Sequence, residues 1–340
     1  MLKRIFLIII LIIGFLAFFY WGVFLPKDAN STQTKIFSVK SGEGTRDIAI
    51  NLEAEGLIKS APLFRIYTLT WGLSNKLQAG EYLLSSSMNV IEIADKMVLG
   101  QVIKEEITII EGWNLRDIAQ NFEQKGLFTT TELFMLVGYP LADDVPFPKD
   151  FSGEFAFLQD KPKNVSLEGY LFPDTYEIQR GKDLPYIISR ILANFDKKLT
   201  PDLRAEIKRQ NKTIFEVITM ASLLEKEVMT MEDKKKVSGV LWKRLKIGMP
   251  LQVDATVSYV TGKKSADLLL RDLNIDSSYN TYKYRGLPLG PICNPGLESI
   301  EAAIYPKATA FWYYLSTPGG ETIFSKTFKE HSLAKQKYLK

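Results

Sequence analysis

Cysteine and histidine are almost absent from this sequence of 340 residues: Cys293 and His331 are the only ones. A lone cysteine cannot close an intrachain disulfide, and one residue of each type is too few for a structural zinc site. Any Ser-His-Asp triad would have to be assembled around His331 alone. No cofactor and no metal are therefore expected. A concentrated block of one charge sign is also missing, since 43 basic and 39 acidic residues leave a net charge of +4 spread through the chain. A nucleic-acid binder would gather its Lys and Arg on one face, so nucleic acid is not an expected partner.

What the chain has is apolar material, 46% of its residues, enough to build cores in two or three modest domains. Ile5 to Leu25 carries no charge over 21 residues. At ~1.5 Å per residue such a helix spans a hydrocarbon core of roughly 30 Å. Lys3 and Arg4 precede it, so the positive-inside bias predicts residues 1–4 on the cytoplasmic side, 5–25 in the cytoplasmic (inner) membrane and the rest exported. The run ends in Phe18, Phe19, Tyr20, Trp21, Val23 and Phe24 rather than at a small-residue cleavage site, so an uncleaved anchor is expected over a removed signal peptide. Residues 26–35 read as a short polar linker.

Next comes an internal repeat. Gly42-x-x-x-Arg46-Asp47-Ile48-Ala49-x-Asn51-x-Glu53-x-x-Gly56-Leu57 returns 70 residues later as Gly112-x-x-x-Arg116-Asp117-Ile118-Ala119-x-Asn121-x-Glu123-x-x-Gly126-Leu127. Each copy predicts a β-branched strand (Ile36 to Val39; Ile107 to Ile110), a glycine turn and a helix closed by the second glycine. The first copy, with a second helix and Gly80-Glu81-Tyr82-Leu83-Leu84 as returning strand, resembles a LysM-like module, a small α/β fold that often contacts N-acetylglucosamine polymers. It is assigned to residues 36–104. The alternative is that the repeated residues only pack and cap two similar motifs. Residues 130–165, with Pro140, Pro146, Pro148 and Pro162, read as an irregular connection inside a domain of residues 105–340.

In that domain, Thr213-Ile214-Phe215-Glu216 fits a capping box ahead of a helix over 214–229. On a helical wheel Ile214, Val217, Ile218, Ala221, Leu224 and Val228 form one apolar stripe that includes Glu225, while Lys226 and Glu227 fall outside it. A carboxyl held against apolar surface is poorly solvated when ionised and can keep its proton near neutrality, as a general acid must. The alternative is that Glu225 reaches sideways to a buried cation or to backbone amides.

Ala221-Ser222-Leu223-Leu224-Glu225-Lys226-Glu227 resembles the active-site helix of the endolytic murein transglycosylase (MltG/YceG-like) family. Three further stretches match in order: Leu167-Glu168-Gly169-Tyr170-Leu171-Phe172-Pro173-Asp174-Thr175-Tyr176, then Leu251-Gln252-Val253-Asp254-Ala255-Thr256-Val257, then Tyr279-Asn280-Thr281-Tyr282 running on to Gly286-Leu287-Pro288-Leu289-Gly290-Pro291-Ile292-Cys293-Asn294-Pro295-Gly296. The resemblance implies Glu225 as the catalytic acid and base. It also implies a sugar groove, for which Glu168, Tyr170, Gln252, Asp254, Asn280, Tyr282 and Asn294 offer stacking faces, donors and acceptors. Tyr170, Phe172 and Tyr176 could equally be one face of a core strand. The family's C-terminal element differs here by Thr322 in a histidine's place, and Leu289 replaces a proline.

The expected fold is therefore α+β: an N-terminal transmembrane helix, a LysM-like α/β module and a mixed α+β catalytic domain. The resemblance implies a lyase that cuts the bond between N-acetylmuramic acid and N-acetylglucosamine in nascent peptidoglycan, leaves 1,6-anhydro ends and limits strand length. Its implied partners are glycan strands, the cytoplasmic membrane and peptidoglycan synthases of the elongation or division machinery. Two rivals stand beside it: a non-catalytic wall-binding scaffold, and a two-carboxylate muramidase pairing Glu225 with Asp254 or Asp174.

Overall fold

The computed structural model describes residues 2–141 and 149–339. Contacts within the chain divide it into two units. One holds the chain up to Ile107 together with Glu177–Asp183; the other holds Thr108–Tyr176 and the chain from Leu184 onward. The short return segment falls in the first unit because Arg180 is bonded there through its backbone, its N–H donating to Ile103 O at 2.9 Å and its carbonyl accepting from Glu81 at 3.2 Å.

In the first unit, α1 (Leu2–Val23) is apolar on every side and long enough to cross a membrane. Its flanks are exposed except in the final turn, where Val23 is buried and Phe19 packs on the core of the unit. β1 (Thr34–Val39) pairs antiparallel with β2 (Gly80–Ser85), Thr34 opposite Ser85 and Val39 opposite Gly80. Between the strands lie α2 (Thr45–Ala54) and α3 (Ala61–Thr70), and α4 (Val90–Val98) follows. The strands alternate as a half-buried sheet must: Phe37, Val39, Tyr82 and Leu84 point into a core shared with Ile48, Leu52, Phe64 and Ile93.

β3 (Lys104–Ile109) and α5 (Leu115–Gln124) repeat β1 and α2 at the predicted spacing of 70 residues. Gly42 and Gly112 both take positive φ, 81° and 79°, as do Gly56 and Gly126 at 76° and 66°. These are turn and helix-end positions at which only glycine is free of strain. The helix-end bonds also match: Leu57 N–H reaches Leu52 O and Leu127 N–H reaches Phe122 O.

The chain continues with α6 (Thr130–Val137), β4 (Asp174–Gln179), which pairs with β3 and whose residues from Glu177 fall in the first unit, α7 (Leu184–Lys198) and α8 (Pro201–Arg209). The region read as an irregular connection thus opens on a regular helix, started by a Thr129/Glu132 capping box. Pro146 and Pro148 lie outside the described residues. α9 (Ile214–Glu227) begins at the expected box, Glu216 N–H donating to Thr213 Oγ1 at 3.1 Å and Thr213 N–H to Glu216 Oε2 at 2.8 Å. Val217 to Leu224 are all buried. Over that stretch α9 is a central helix, packed by α10 (Met231–Lys246), α11 (Asp254–Thr261) and α12 (Leu297–Ile304). A β5 (Tyr313–Ser316) and β6 (Thr322–Ser325) hairpin and α13 (Phe328–Tyr338) complete the unit. Tyr170 and Phe172 precede β4 rather than lying in it, in an aromatic cluster with Phe157 and Phe195.

Candidate active site

Glu225 and Glu227 leave the end of α9 into different surroundings. The Glu225 carboxylate accepts Gly296 N–H at 3.0 Å and Ser299 Oγ–H at 2.6 Å, and Lys234 Nζ stands 3.6 Å away. Gly296 is the N-cap of α12 and Ser299 lies in its first turn, so this carboxylate occupies the positive end of a helix dipole. Lys234 is itself only 4% exposed. The group ties α9, α10 and α12 together.

Glu227 is the last residue of α9, because Val228 turns extended at φ −146° and ψ 150°. Its half-buried side chain faces a cleft of about 600 Å3, lined also by Gln252, Asp254, Tyr282, Tyr314 and Arg244. Desolvation pushes the Glu227 carboxyl up to about 7, and the negative charge of Asp254 adds to this; the Tyr314 hydroxyl and the Ala255 N–H, which both donate to it, act in the opposite sense. Such a carboxyl holds its proton over part of the neutral range and has ready donors when it loses it.

The cleft wall is built from backbone held in place by buried polar side chains. Val253 N–H donates to Thr281 Oγ1 at 3.0 Å and Thr256 Oγ1–H to Val253 O at 2.7 Å, which ties the start of α11 to the Asn280–Tyr282 turn. Between these ties Gln252 sits at φ +54° with its side chain exposed to the cleft. A non-glycine residue there costs on the order of 1 kcal/mol, a strain that concentrates at functional sites. The Tyr282 hydroxyl donates to Asp254 Oδ1. Arg244, 4% exposed, is held by Leu251 O at 2.7 Å and Trp312 O at 2.6 Å. His331 from α13 stacks on Tyr313 at 5.3 Å and also lines the cleft.

Comparison with known proteins bears on what this cleft belongs to. The model of the YceG-like family matches residues 37–337. The endolytic murein transglycosylase of Bacillus subtilis (strain 168) is 35% identical over 330 residues, covering 95% of this chain and 90% of that protein. That of Streptococcus pneumoniae serotype 2 (strain D39 / NCTC 7466) is 32% identical over 329 residues, covering 90% of this chain and 59% of that protein. A 2.6 Å crystal structure of a yceG-like protein from Listeria monocytogenes aligns with a TM-score of 0.60 at 32% identity, over 90% of this chain and 100% of the other. The chain belongs to the YceG-like family.

Within this YceG-like chain, the residues named from sequence separate into two groups. Gln252, Asp254 and Tyr282 meet at the cleft. Glu168, Tyr170, Asn280 and Asn294 do not: each is 0% exposed, so none offers surface to a polymer. Their placement as sugar contacts is corrected to scaffold. The Asn280 amide donates to Leu273 O and Ile275 O, at 3.0 and 2.8 Å, and so shapes the turn that presents Tyr282. Asn294 accepts Leu171 N–H and donates to Trp113 O, both at 2.9 Å. The Glu168 carboxyl accepts Leu115 N–H at 3.1 Å and the Tyr259 hydroxyl at 2.9 Å, and its complete burial pushes it up to about 7. Asp174 lies at the start of β4, bonded to Asn194 at 3.0 Å, and does not line the cleft.

Glu227, Tyr314, Arg244 and His331 are cleft residues that the sequence did not single out. The wheel placed Glu227 outside the apolar stripe, but Val217 to Leu224 are buried all round and Glu227 is half-buried, so leaving the stripe does not by itself mean reaching solvent. Its place as the last helical residue before an extended Val228 is the one local signal available.

Proposed function

We propose that this chain is a membrane-anchored endolytic murein transglycosylase whose general acid and base is Glu227. It is an enzyme of the YceG-like family, and its relatives from Bacillus subtilis and Streptococcus pneumoniae are named for action on murein. The observation that carries the assignment is a carboxyl at the cleft beside Asp254 and Tyr282, which desolvation pushes up to about 7. Glu225, expected to be the acid, is bound instead by Lys234, Ser299 and Gly296. That is the sideways-reaching alternative.

On this reading Glu227 gives its proton to the oxygen joining N-acetylmuramic acid to N-acetylglucosamine as the muramyl C1–O bond breaks. The resulting carboxylate, held by the Tyr314 hydroxyl and the Ala255 N–H, then takes the proton of the muramyl 6-hydroxyl as O6 bonds to C1. A 1,6-anhydro end forms and no water is consumed, so one residue serves as acid and then base. Asp254, held by Tyr282, shares the cleft with Glu227 and would face the positive charge that develops on the sugar.

The shared cleft of Glu227 and Asp254 also favours a second reading, a muramidase in which Asp254 supplies the second carboxylate. Mass spectrometry of the fragments released by the full-length protein in detergent separates the two: anhydro-muramyl ends are expected, and reducing ends instead would replace the transglycosylase with the hydrolase.

The apolar α1 supports anchoring with the N-terminus inside and the catalytic unit outside. The βααβ order of the first unit supports the LysM-like reading, with glycan as its ligand. An anchored enzyme would cut nascent strands near their synthesis, beside synthases, and so limit their length. An equally exported anchorless form that restores normal strand lengths in a deletion strain would remove that role.

A further inference from the structure

A second cavity in the same unit, about 510 Å3, adjoins the cleft: Lys226 and Ser265 line both. Its charged lining is Arg116, Lys226, Lys263 and Lys264 against a single carboxylate, Asp117. Lys263 is neutralised by Asp272 at 2.7 Å. Asp117 already accepts Asn114 N–H at 2.9 Å. The other cations rest on neutral acceptors: Lys226 Nζ donates to Gly112 O at 3.1 Å, and Arg116 Nη1 donates to Tyr259 O at 3.0 Å with its guanidinium 5.0 Å over the Tyr259 ring. The buried Glu168 feels the Arg116 charge but is itself held up at about 7. Lys264 is exposed. A positive surplus therefore lies beside the residue that follows Glu225 and precedes Glu227.

We propose that this cavity binds a carboxylate of the peptide stem carried by the muramyl residue being cut. The inference rests on the reading of the cleft as a murein-cutting site. The glycan backbone of peptidoglycan is uncharged, and its stems carry the carboxylates. A stem hangs from the lactyl group of the same sugar whose C1 reacts at Glu227, so it must leave the cleft within a few ångströms of that carboxyl. Lys226 joins the two spaces, and Lys264 and Arg116 stand ready for the anion as charge-assisted donors.

The test compares two substrates, uncrosslinked strands with free stem carboxylates and the same strands with those carboxylates converted to amides, using the full-length protein in detergent; stripping the stems with an amidase would leave a lactyl carboxylate in their place. The parent is expected to favour the strands with free stem carboxylates by about tenfold in kcat/KM, the worth of one good ionic contact. Lys264→Glu and Lys226→Met are expected to collapse that ratio, and salt is expected to erode it in the parent. Equal rates on both substrates, or a preference untouched by either variant with its thermal unfolding unchanged, would overturn the proposal. A binding arm needs no cleavage: in a Glu227→Gln background, a tetrasaccharide with free stem carboxylates should bind about tenfold more tightly than its amidated form, and Lys264→Glu should cancel the difference. If the parent cuts neither substrate yet this difference holds, the murein-cutting reading fails and the carboxylate site stands. Equal binding of both sugars would sink the site.

Discussion

The two repeats share strand, positive-φ turn, helix and Schellman ending, yet they differ in what surrounds them. In the first copy Gly42, Arg46 and Asp47 are exposed, and the helix starts at Gly44 without a side-chain cap. In the second, Gly112 is buried and Arg116 and Asp117 are half-buried, and Asn114 closes a capping box with Asp117. Asn294 bonds this second turn through both of its backbone groups, its N–H donating to Trp113 O at 2.7 Å and its carbonyl accepting from Gly112 at 2.9 Å. One supersecondary unit thus serves as a free-standing fold in one place and as the wall of a site in the other. The glycines and apolar positions that the copies share are required by the turn and the helix end; the roles of Arg116 and Asn114 come from their neighbours.

The largest consequence of that embedding is a pH dependence. Glu168, at the start of the second repeat's helix, and Glu227 are each raised to about 7 by burial. A carboxyl raised above its unfolded value costs nothing below about pH 4.5 and costs most once ionised. Stability is therefore expected to fall as pH rises from about 4.5 to 7, by up to about 3 kcal/mol per group before solvent screening is discounted. Denaturant unfolding across that range measures it, and Glu227→Gln should remove its share of the slope.

Asn294→Ala comes next, with an expected loss of about 2–3 kcal/mol, because Leu171 N–H is left buried without its partner and Trp113 O loses one of its two donors. The paired substitutions Arg116→Ala and Arg46→Ala should cost about 2 kcal/mol and less than about 0.5 kcal/mol, since only the former cation is packed on a ring and a carbonyl. Equal costs would show that the embedding carries no energy. The smallest effects lie at the caps: Asn114→Ala should destabilise by about 1 kcal/mol, while Gly44→Asn should gain a few tenths.

Patterns confined to neighbouring residues were legible in the sequence. The apolar run became α1, the repeat became two superposable motifs by bond pattern and φ, and Thr213 with Glu216 opened α9 where expected. The site was legible only in part. Gln252, Asp254 and Tyr282 reach the cleft, but Glu168, Tyr170, Asn280 and Asn294 belong to the scaffold that shapes it, and a motif does not separate the two uses of a residue. The helical wheel assumes one buried face. From Val217 to Leu224 α9 is buried all round, so the wheel could not rank Glu225 against Glu227, and Tyr314, Arg244 and His331 are brought to the cleft from elements distant in sequence.

The assignment of the acid is tested most directly by muropeptide mass spectrometry of the full-length protein alongside Glu227→Gln and Glu225→Gln, with thermal unfolding recorded for each. Anhydro-muramyl ends are predicted from the parent, a loss of at least about a hundredfold from Glu227→Gln with its fold intact, and product still formed by whatever fraction of Glu225→Gln remains folded. A well-folded Glu225→Gln that releases nothing, beside an active Glu227→Gln, would contradict the account and return the chemistry to Glu225.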